Sequence, residues 1–323
     1  MPFVSVVTPF YNTAPYLREC IESVLAQTLG DFEYLLVDNK STDGSRDIAE
    51  QFARRDSRIR VIENEVFVGQ VENYNGALER ISPKCEFVKL TQADDALLPE
   101  CLRLMVENAQ RDPRVGIVSS YFLKGSTPSG RGVPYGTTHV NGRAIVRGIM
   151  LGTAYPFGSP TSMLYRASVV RARKPFYALG RYHEDSEAAC EILLEHDLGF
   201  VHQVLSFCRT DNEGIMSAAE RFNPAPLDHL IVLERYGREV LSPEEFAQRK
   251  AVEWRVYLGF LGNSVLRGRG EKFWKYHRAG LATIGRPLGK RELLLPTLKQ
   301  VARAALNPVQ AIEIARERAH REE

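Results

Sequence analysis

The chain has 323 residues, 44% of them hydrophobic and 25% charged, which supports a buried core and excludes a mainly disordered or fibrous protein. No stretch approaches the roughly 18 unbroken apolar residues of a membrane span, and Met1-Pro2-Phe3-Val4 carries no sign of a secretory leader. The net charge of +2 hides an asymmetry: residues 251–323 hold 14 Lys+Arg against 7 Asp+Glu, which leaves the rest of the chain net acidic and excludes a nucleic-acid binder.

Short apolar runs alternate with helical spacing over the first two hundred residues. Residues 3–8 predict a strand, followed by Leu17, Cys20, Ile21, Val24 and Leu25 at helical spacing, with Asn12 or Thr13 as N-cap and Pro15 in the first turn. Residues 32–37 predict a second strand, then a turn-rich segment and a helix carrying Ile48, Ala49 and Phe52. A third strand at 59–62 precedes a helix at 71–78, and a fourth at 86–91 runs to Asp94-Asp95. Pro99 then starts a helix with Leu102, Met105 and Val106. Beyond a strand at 115–121, residues 124–142 are rich in Gly, Ser, Thr and Pro and predict a long surface loop or lid. A strand at 161–166, a helix at 184–195 and a strand at 198–207 follow. From Leu227 the spacing is helical, with breaks at Ser242-Pro243, Pro287, Pro296 and Pro308.

Strands separated by helices imply an α/β fold with a doubly wound, mostly parallel sheet, helices on both faces, and a C-terminal helical extension. The expected division is a catalytic domain at 1–220 and the extension at 221–323. In such sheets ligands collect beyond the carboxyl ends of the strands. Five cysteines with no CxxC spacing fit reduced thiols in the cytoplasm.

Asp94-Asp95 at the fourth strand's end is the strongest chemical signal. Adjacent carboxylates repel unless a cation or hydrogen-bond donors lie close. A hard divalent ion takes one or two carboxylates, with water and substrate phosphates completing its shell. The same pair can instead cap the helix that starts near Pro99.

A longer series resembles the family 2 glycosyltransferases. It comprises Val4-Ser5-Val6-Val7-Thr8-Pro9-Phe10-Tyr11-Asn12, Gln27-Thr28, Asp31-Phe32-Glu33, Val37-Asp38 and Ser41-Thr42-Asp43-Gly44-Ser45. Gly69, Asn75 and Asp94-Asp95 then fall where that family has its glycine–asparagine segment and its metal-binding acids. The resemblance covers residues 2–104 well and continues more weakly to about 217. It implies a GT-A fold and an inverting transfer of sugar from a nucleotide-diphosphate-sugar to a hydroxyl of a glycan or lipid-linked acceptor, in surface polysaccharide synthesis. The implied cofactor is Mn²⁺ or Mg²⁺.

By the same resemblance, Pro9, Tyr11, Asp38, Gly69 and Asn75 bind the nucleotide, Asp94 contacts ribose or sugar, and Asp95 holds the metal. Asn39 stands where the family commonly has a second acid, and its carbonyl can accept from a base N–H. An Asx turn is the alternative for Asp38 and Asn39. Glu184-Asp185 resembles the family's later acidic pair, with Asp185 as catalytic base and Glu184 orienting the acceptor. The alternative is two acids favoured by a helix dipole. Arg209 matches a phosphate clamp, although the family's following His is Asp211 here. Gly158-Ser159-Pro160-Thr161-Ser162 resembles the segment near the acceptor.

Trp254, Tyr257, Phe260, Phe273, Trp274 and Tyr276 lie among basic residues. They fit a membrane interface, or packing within their own domain or against a second copy. The expected location is the cytoplasm, with or without contact at the inner face of the membrane. Two other functions stay open: a catalytically inactive binding or scaffold protein, raised by Asn39 and Asp211, and a sugar nucleotidyltransferase, although no Gly-rich phosphate loop follows the first strand.

Overall fold

The apolar run at the N-terminus forms β1 (Val4–Phe10), and all seven residues are buried. Successive side chains of a strand point to opposite faces, so the sheet is covered on both sides. This computed structural model describes residues 3–180, 184–210 and 222–307. After α1 (Ala14–Leu25) comes β2 (Phe32–Asp38), also buried throughout. The chain continues through α2 (Ser45–Ala53), β3 (Ile59–Glu63), α3 (Gln70–Leu78), β4 (Phe87–Leu90), β5 (Ala96–Leu97), α4 (Cys101–Gln110) and β6 (Val115–Lys124). It then forms β7 (Thr127–Ser129), β8 (His139–Val140), α5 (Gly142–Met150), β9 (Met163–Arg166), α6 (Ala167–Ala172), α7 (Glu184–Leu193) and β10 (Asp197–Cys208).

The strand order is β3-β2-β1-β4-β9-β6-β10-β5, with β7 on β6 and β8 on β10. Strands β1 to β4 run parallel, as do β6 and β10, while β9 and β5 are antiparallel to their neighbours. Phe10 pairs with Asp38, and Val7 with Leu90, so the polar segments after β1, β2 and β4 gather at one edge of the sheet. This is the predicted mostly parallel α/β architecture. All five cysteines are buried free thiols.

The structure differs from the sequence reading in several places. Residues 124–142 are tied down rather than forming one loop, because β7 folds back on β6 and β8 pairs with β10. Strands of two or three residues leave no periodicity to read. The predicted strand at 161–166 begins later, after a 3-10 turn at Pro160–Ser162. Thr13 occupies the N-cap of α1, but its side chain makes no capping bond. Asp43 Oδ2 accepts from the Ala14 N–H at 2.9 Å, and Ser45 Oγ from the Thr13 N–H at 2.8 Å. Asn12 Oδ1 accepts from the Thr42 N–H at 2.8 Å. The Ser-Thr-Asp-Gly-Ser segment therefore laces the loop after β2 to the loop after β1. Gly44 there has φ 90°, which glycine adopts without strain.

The chain divides into two compact units, Met1–Asn212 and Glu213–Glu323. The boundary expected at 220/221 falls within residues 211–221, outside the described residues. The second unit contains helices Ala225–Val240, Pro243–Leu266, Glu271–Ala282 and Lys290–Leu306. Ser242 and Glu245 form a reciprocal capping box at the predicted Ser242-Pro243 break. Pro296, expected to end a helix, lies inside the last one. That helix persists because it packs closely on Pro243–Leu266: a Cβ at Gly262 would come within 2.7 Å of the Pro296 backbone. The tail aromatics pack in this unit's own core, Tyr257 and Phe273 among Leu227, Leu230, Ile231, Leu261 and Leu281. Packing, not a membrane interface, accounts for that stripe.

His277 is fully buried in this core, its Nδ1 2.9 Å from the Tyr257 hydroxyl and its Nε2 2.8 Å from the Phe222 carbonyl. The carbonyl can only accept, so Nε2–H donates and Nδ1 accepts from the tyrosine. Burial, with the positive field of Arg269, pulls the imidazole down to about 4. The unfolded chain takes up that proton near pH 6.5 and the folded chain near pH 4. The stability is therefore full above pH 6.5 and is lost as pH falls toward 4, by about 2–3 kcal/mol. Denaturant unfolding at pH 7.5 and 4.5 measures this. His277→Gln is expected to lower stability at the higher pH and to flatten the acid slope.

Candidate active site

At the tip of β2, Asp38 is completely buried. Its Oδ1 accepts from the Ser41 N–H at 2.9 Å, so the Asx turn exists. Its Oδ2 is buried with no hydrogen-bond partner among the described residues. A carboxylate oxygen desolvated without a donor is costly and is placed to accept from a ligand N–H. Asn39 is engaged differently: Nδ2 donates to the Val68 carbonyl at 2.8 Å, and Oδ1 accepts from the Val68 N–H at 3.1 Å and from Asn64 Nδ2 at 3.1 Å. Its amide holds the loop that leads to Gly69.

Pro9 is buried in β1 opposite Val37. Tyr11, 44% exposed, stands with its ring 4.8 Å from that of Phe67, which is 59% exposed. Phe67 was not anticipated, because a lone aromatic in a polar loop has no sequence signature. The Gly69 N–H begins α3 and donates to Glu72 Oε2 at 2.8 Å. Asn75 faces another segment: Nδ2 donates to the Tyr177 carbonyl at 2.9 Å and Oδ1 accepts from the Tyr177 N–H at 2.8 Å. It anchors the chain ahead of α7.

Asp95, 4% exposed, is held by three donors. Oδ2 accepts from the Thr161 hydroxyl at 2.6 Å and the Ser159 hydroxyl at 3.1 Å, and Oδ1 from the Arg209 N–H at 3.0 Å. Burial first, then the neighbouring Asp94 charge, push its pKa up to about 7. The donors oppose that rise without cancelling it. The Arg209 guanidinium lies elsewhere, with Nε donating to the Asp94 carbonyl at 3.0 Å and Nη2 reaching Glu19 at 2.7 Å. It braces the Asp94-Asp95 turn. Asp211 lies outside the described residues.

Tyr74 lies within electrostatic reach of one acid from each pair, Asp94 and Glu184. Gln70 Nε2 donates to its hydroxyl at 2.7 Å and Gln92 Nε2 at 3.1 Å. With both amides donating, the phenol keeps its own proton to give. Burial raises its pKa, and the negative fields of Asp94 and Glu184 raise it further. Acids 90 residues apart in sequence therefore act on one hydroxyl. Asp185 in turn acts on the buried phenols of Tyr165 and Tyr177, each raised chiefly by burial, and on the phenol of Tyr155, a residue 37% exposed. The Tyr74 and Tyr177 rings are 6.3 Å apart, which joins the two sets of contacts. Glu184 and Asp185 occupy the first turn of α7, where a helix dipole favours acids.

Among the described residues no group of three or more His, Cys, Asp or Glu side chains could hold a metal ion. Two carboxylates with water and a diphosphate are still a sufficient oxygen set for Mn²⁺ or Mg²⁺. Asp95 fits that role chemically. It is a buried carboxylate whose proton affinity is raised by burial and by Asp94, and among the described residues no Lys or Arg forms an ion pair with it.

The sequence model for glycosyl transferase family 2 matches residues 5–173, just over half of the chain. The chain belongs to glycosyl transferase family 2. Among the relatives of this family 2 member, the glycosyltransferase EpsJ of Bacillus subtilis is 34% identical over 134 residues, 42% of this chain and 38% of EpsJ. The poly(ribitol-phosphate) beta-glucosyltransferase of Bacillus spizizenii is 34% identical over 133 residues, 41% of this chain and 20% of that protein. The chain thus spans under two fifths of the length of these curated relatives. The crystal structure of S. aureus TarS 1-349 with UDP-GlcNAc superposes with a TM-score of 0.64 at 20% identity, covering 100% of this chain and 92% of that TarS fragment. That likeness establishes a GT-A-type fold for this family 2 chain. The span matched by the family model holds Asp38, Tyr74, Asp94 and Asp95 and stops short of Glu184-Asp185.

Proposed function

We propose that this family 2 protein moves a sugar, with inversion, from a nucleotide-diphosphate-sugar to a hydroxyl of a surface polysaccharide or lipid-linked precursor. The observation that carries the reading is that Asp94 and Glu184 both bear on Tyr74 through their negative fields, which supports a donor-side and an acceptor-side carboxylate serving one site. The orphan Asp38 Oδ2 supports recognition of a base N–H, and the exposed Tyr11–Phe67 pair offers a face for the base to stack on. A polysaccharide acceptor is supported by the name of the poly(ribitol-phosphate) relative.

Inversion requires attack from the face opposite the leaving diphosphate. Asp185 takes the proton from the acceptor hydroxyl as its oxygen bonds to the anomeric carbon, and Glu184 orients that hydroxyl. Asp94 binds the donor's ribose or sugar. Asp95 would hold a Mn²⁺ or Mg²⁺, which would supply positive charge to offset that of the departing diphosphate. Thr161, Ser159 and Arg209 keep the Asp95 carboxylate in place.

A thermal-shift panel of nucleoside diphosphates and nucleotide-sugars, each with and without Mn²⁺, tests this. One base is expected to raise the melting temperature strongly with the metal and weakly without it, as binding to the folded state alone requires. Its sugar conjugate is expected to be hydrolysed slowly. A melt that no nucleotide shifts would overturn the proposal. Equal shifts with and without Mn²⁺ would remove the metal from it.

A further inference from the structure

We propose that helix Lys290–Leu306 docks the protein on the surface of an anionic lipid bilayer through its outward apolar face. The helix has two apolar faces where a surface helix ordinarily has one. Leu293 packs on the core of its unit, Pro296 lies against Gly262, and Gln300 donates to the Gly259 carbonyl at 3.3 Å. These residues, at helical spacing, form the covered side.

On the other side Leu294, Leu295, Leu298, Val301 and Leu306 are 64%, 63%, 55%, 46% and 87% exposed. At about 100° per residue they sweep an arc roughly 140° wide, centred opposite the covered face. Isolated exposed leucines are ordinary, but a contiguous aliphatic face is the mark of an interaction surface. The tail aromatics are engaged elsewhere: Tyr257 and Phe273 lie in the core of the unit, and Trp254, Phe260, Trp274 and Tyr276 pack against it, partly buried.

Charge selects the occupant. Residues 290–306 contain four basic residues and one acid, and Lys299 and Arg303 fall together along one border of the apolar arc, with Arg291 in its first turn. Leucines for the acyl boundary and cations for lipid phosphates describe a helix lying in a membrane interface. A second copy meeting this face about a two-fold axis would set the same basic border against itself. The contact is superficial, because no helix among the described residues is long and apolar enough to cross a membrane. The inference is independent of the catalytic reading.

The test is co-sedimentation of the full chain with vesicles of phosphatidylcholine alone and of phosphatidylcholine with phosphatidylglycerol. Two variants are compared, Leu294→Gln/Leu295→Gln/Leu298→Gln and Lys299→Glu/Arg303→Glu. All five positions are solvent-facing, so unchanged melting curves verify that both variants fold. Binding is expected to require the anionic lipid, to weaken with salt, and to fall about tenfold or more in each variant. Failure to bind anionic vesicles, or equal binding by the wild type and both variants, overturns the proposal. A wild type that sediments as a dimer while the leucine variant is a monomer, with no vesicle binding by either, also overturns it and assigns the face to a second copy.

Discussion

Asp185→Asn is expected to leave donor binding unchanged and to lower sugar transfer by about 10²–10⁴-fold, the range for removal of a general base. The substitution preserves shape, and an amide oxygen can still accept the Ser186 N–H that Asp185 Oδ1 accepts at 2.7 Å. It removes only the capacity to take a proton. Calorimetric affinity for the donor and initial rates of transfer separate the two effects. Glu184→Gln is expected to act more mildly, by misplacing the acceptor. Full transfer by Asp185→Asn would place the base on another residue.

Asp95→Asn is expected to produce opposite changes in activity and stability. Activity falls by several kcal/mol in barrier, because a carboxylate facing the leaving diphosphate is replaced by a neutral amide. The ligand-free fold gains stability at pH 8. An asparagine there can still accept the Arg209 N–H, and its Nδ2 can donate to the hydroxyls of Thr161 and Ser159, which rotate to accept. The wild-type acid has a folded pKa raised to about 7 by burial and by Asp94. Its contribution to stability is full below the unfolded value of about 3.9 and is lost as pH rises through about 7. The wild type therefore carries a cost of about 2–4 kcal/mol at pH 8 that the variant lacks. Thermal melts of both proteins at pH 8 and pH 5 measure it, and the gain is expected to shrink at pH 5. A variant less stable than the wild type at pH 8 would show that the carboxylate is compensated within the protein.

Much of the fold was legible because its parallel strands are buried on both faces and so read as unbroken apolar runs, as Val4–Phe10 and Phe32–Asp38 do. The helices from α1 to α4 announced themselves by spacing. The short strands β5, β7 and β8 did not, since a two- or three-residue strand is defined by its partner. The site was legible in its acids and illegible in their surroundings. Asp38, Asp94, Asp95, Glu184 and Asp185 stand at element ends, where a motif can be recognised. Nothing in the sequence marks Tyr74 or Phe67, and Thr161, read there as part of a segment near the acceptor, instead donates to Asp95. Asn39 and Asn75 show the converse: both are conspicuous in sequence, and in the structure both hold backbone, at Val68 and at Tyr177.

The sequence by itself determined the order of strands and helices, the family and the identity of the acids, because those follow from local periodicity and short motifs. Only the tertiary structure decided which of these groups meet. It set Asp94 and Glu184 within electrostatic reach of one tyrosine, turned the Arg209 guanidinium toward Glu19, and left one face of the last helix uncovered. Desolvation and hydrogen-bond competition act between groups far apart in the chain, and neither is written in any single stretch of it.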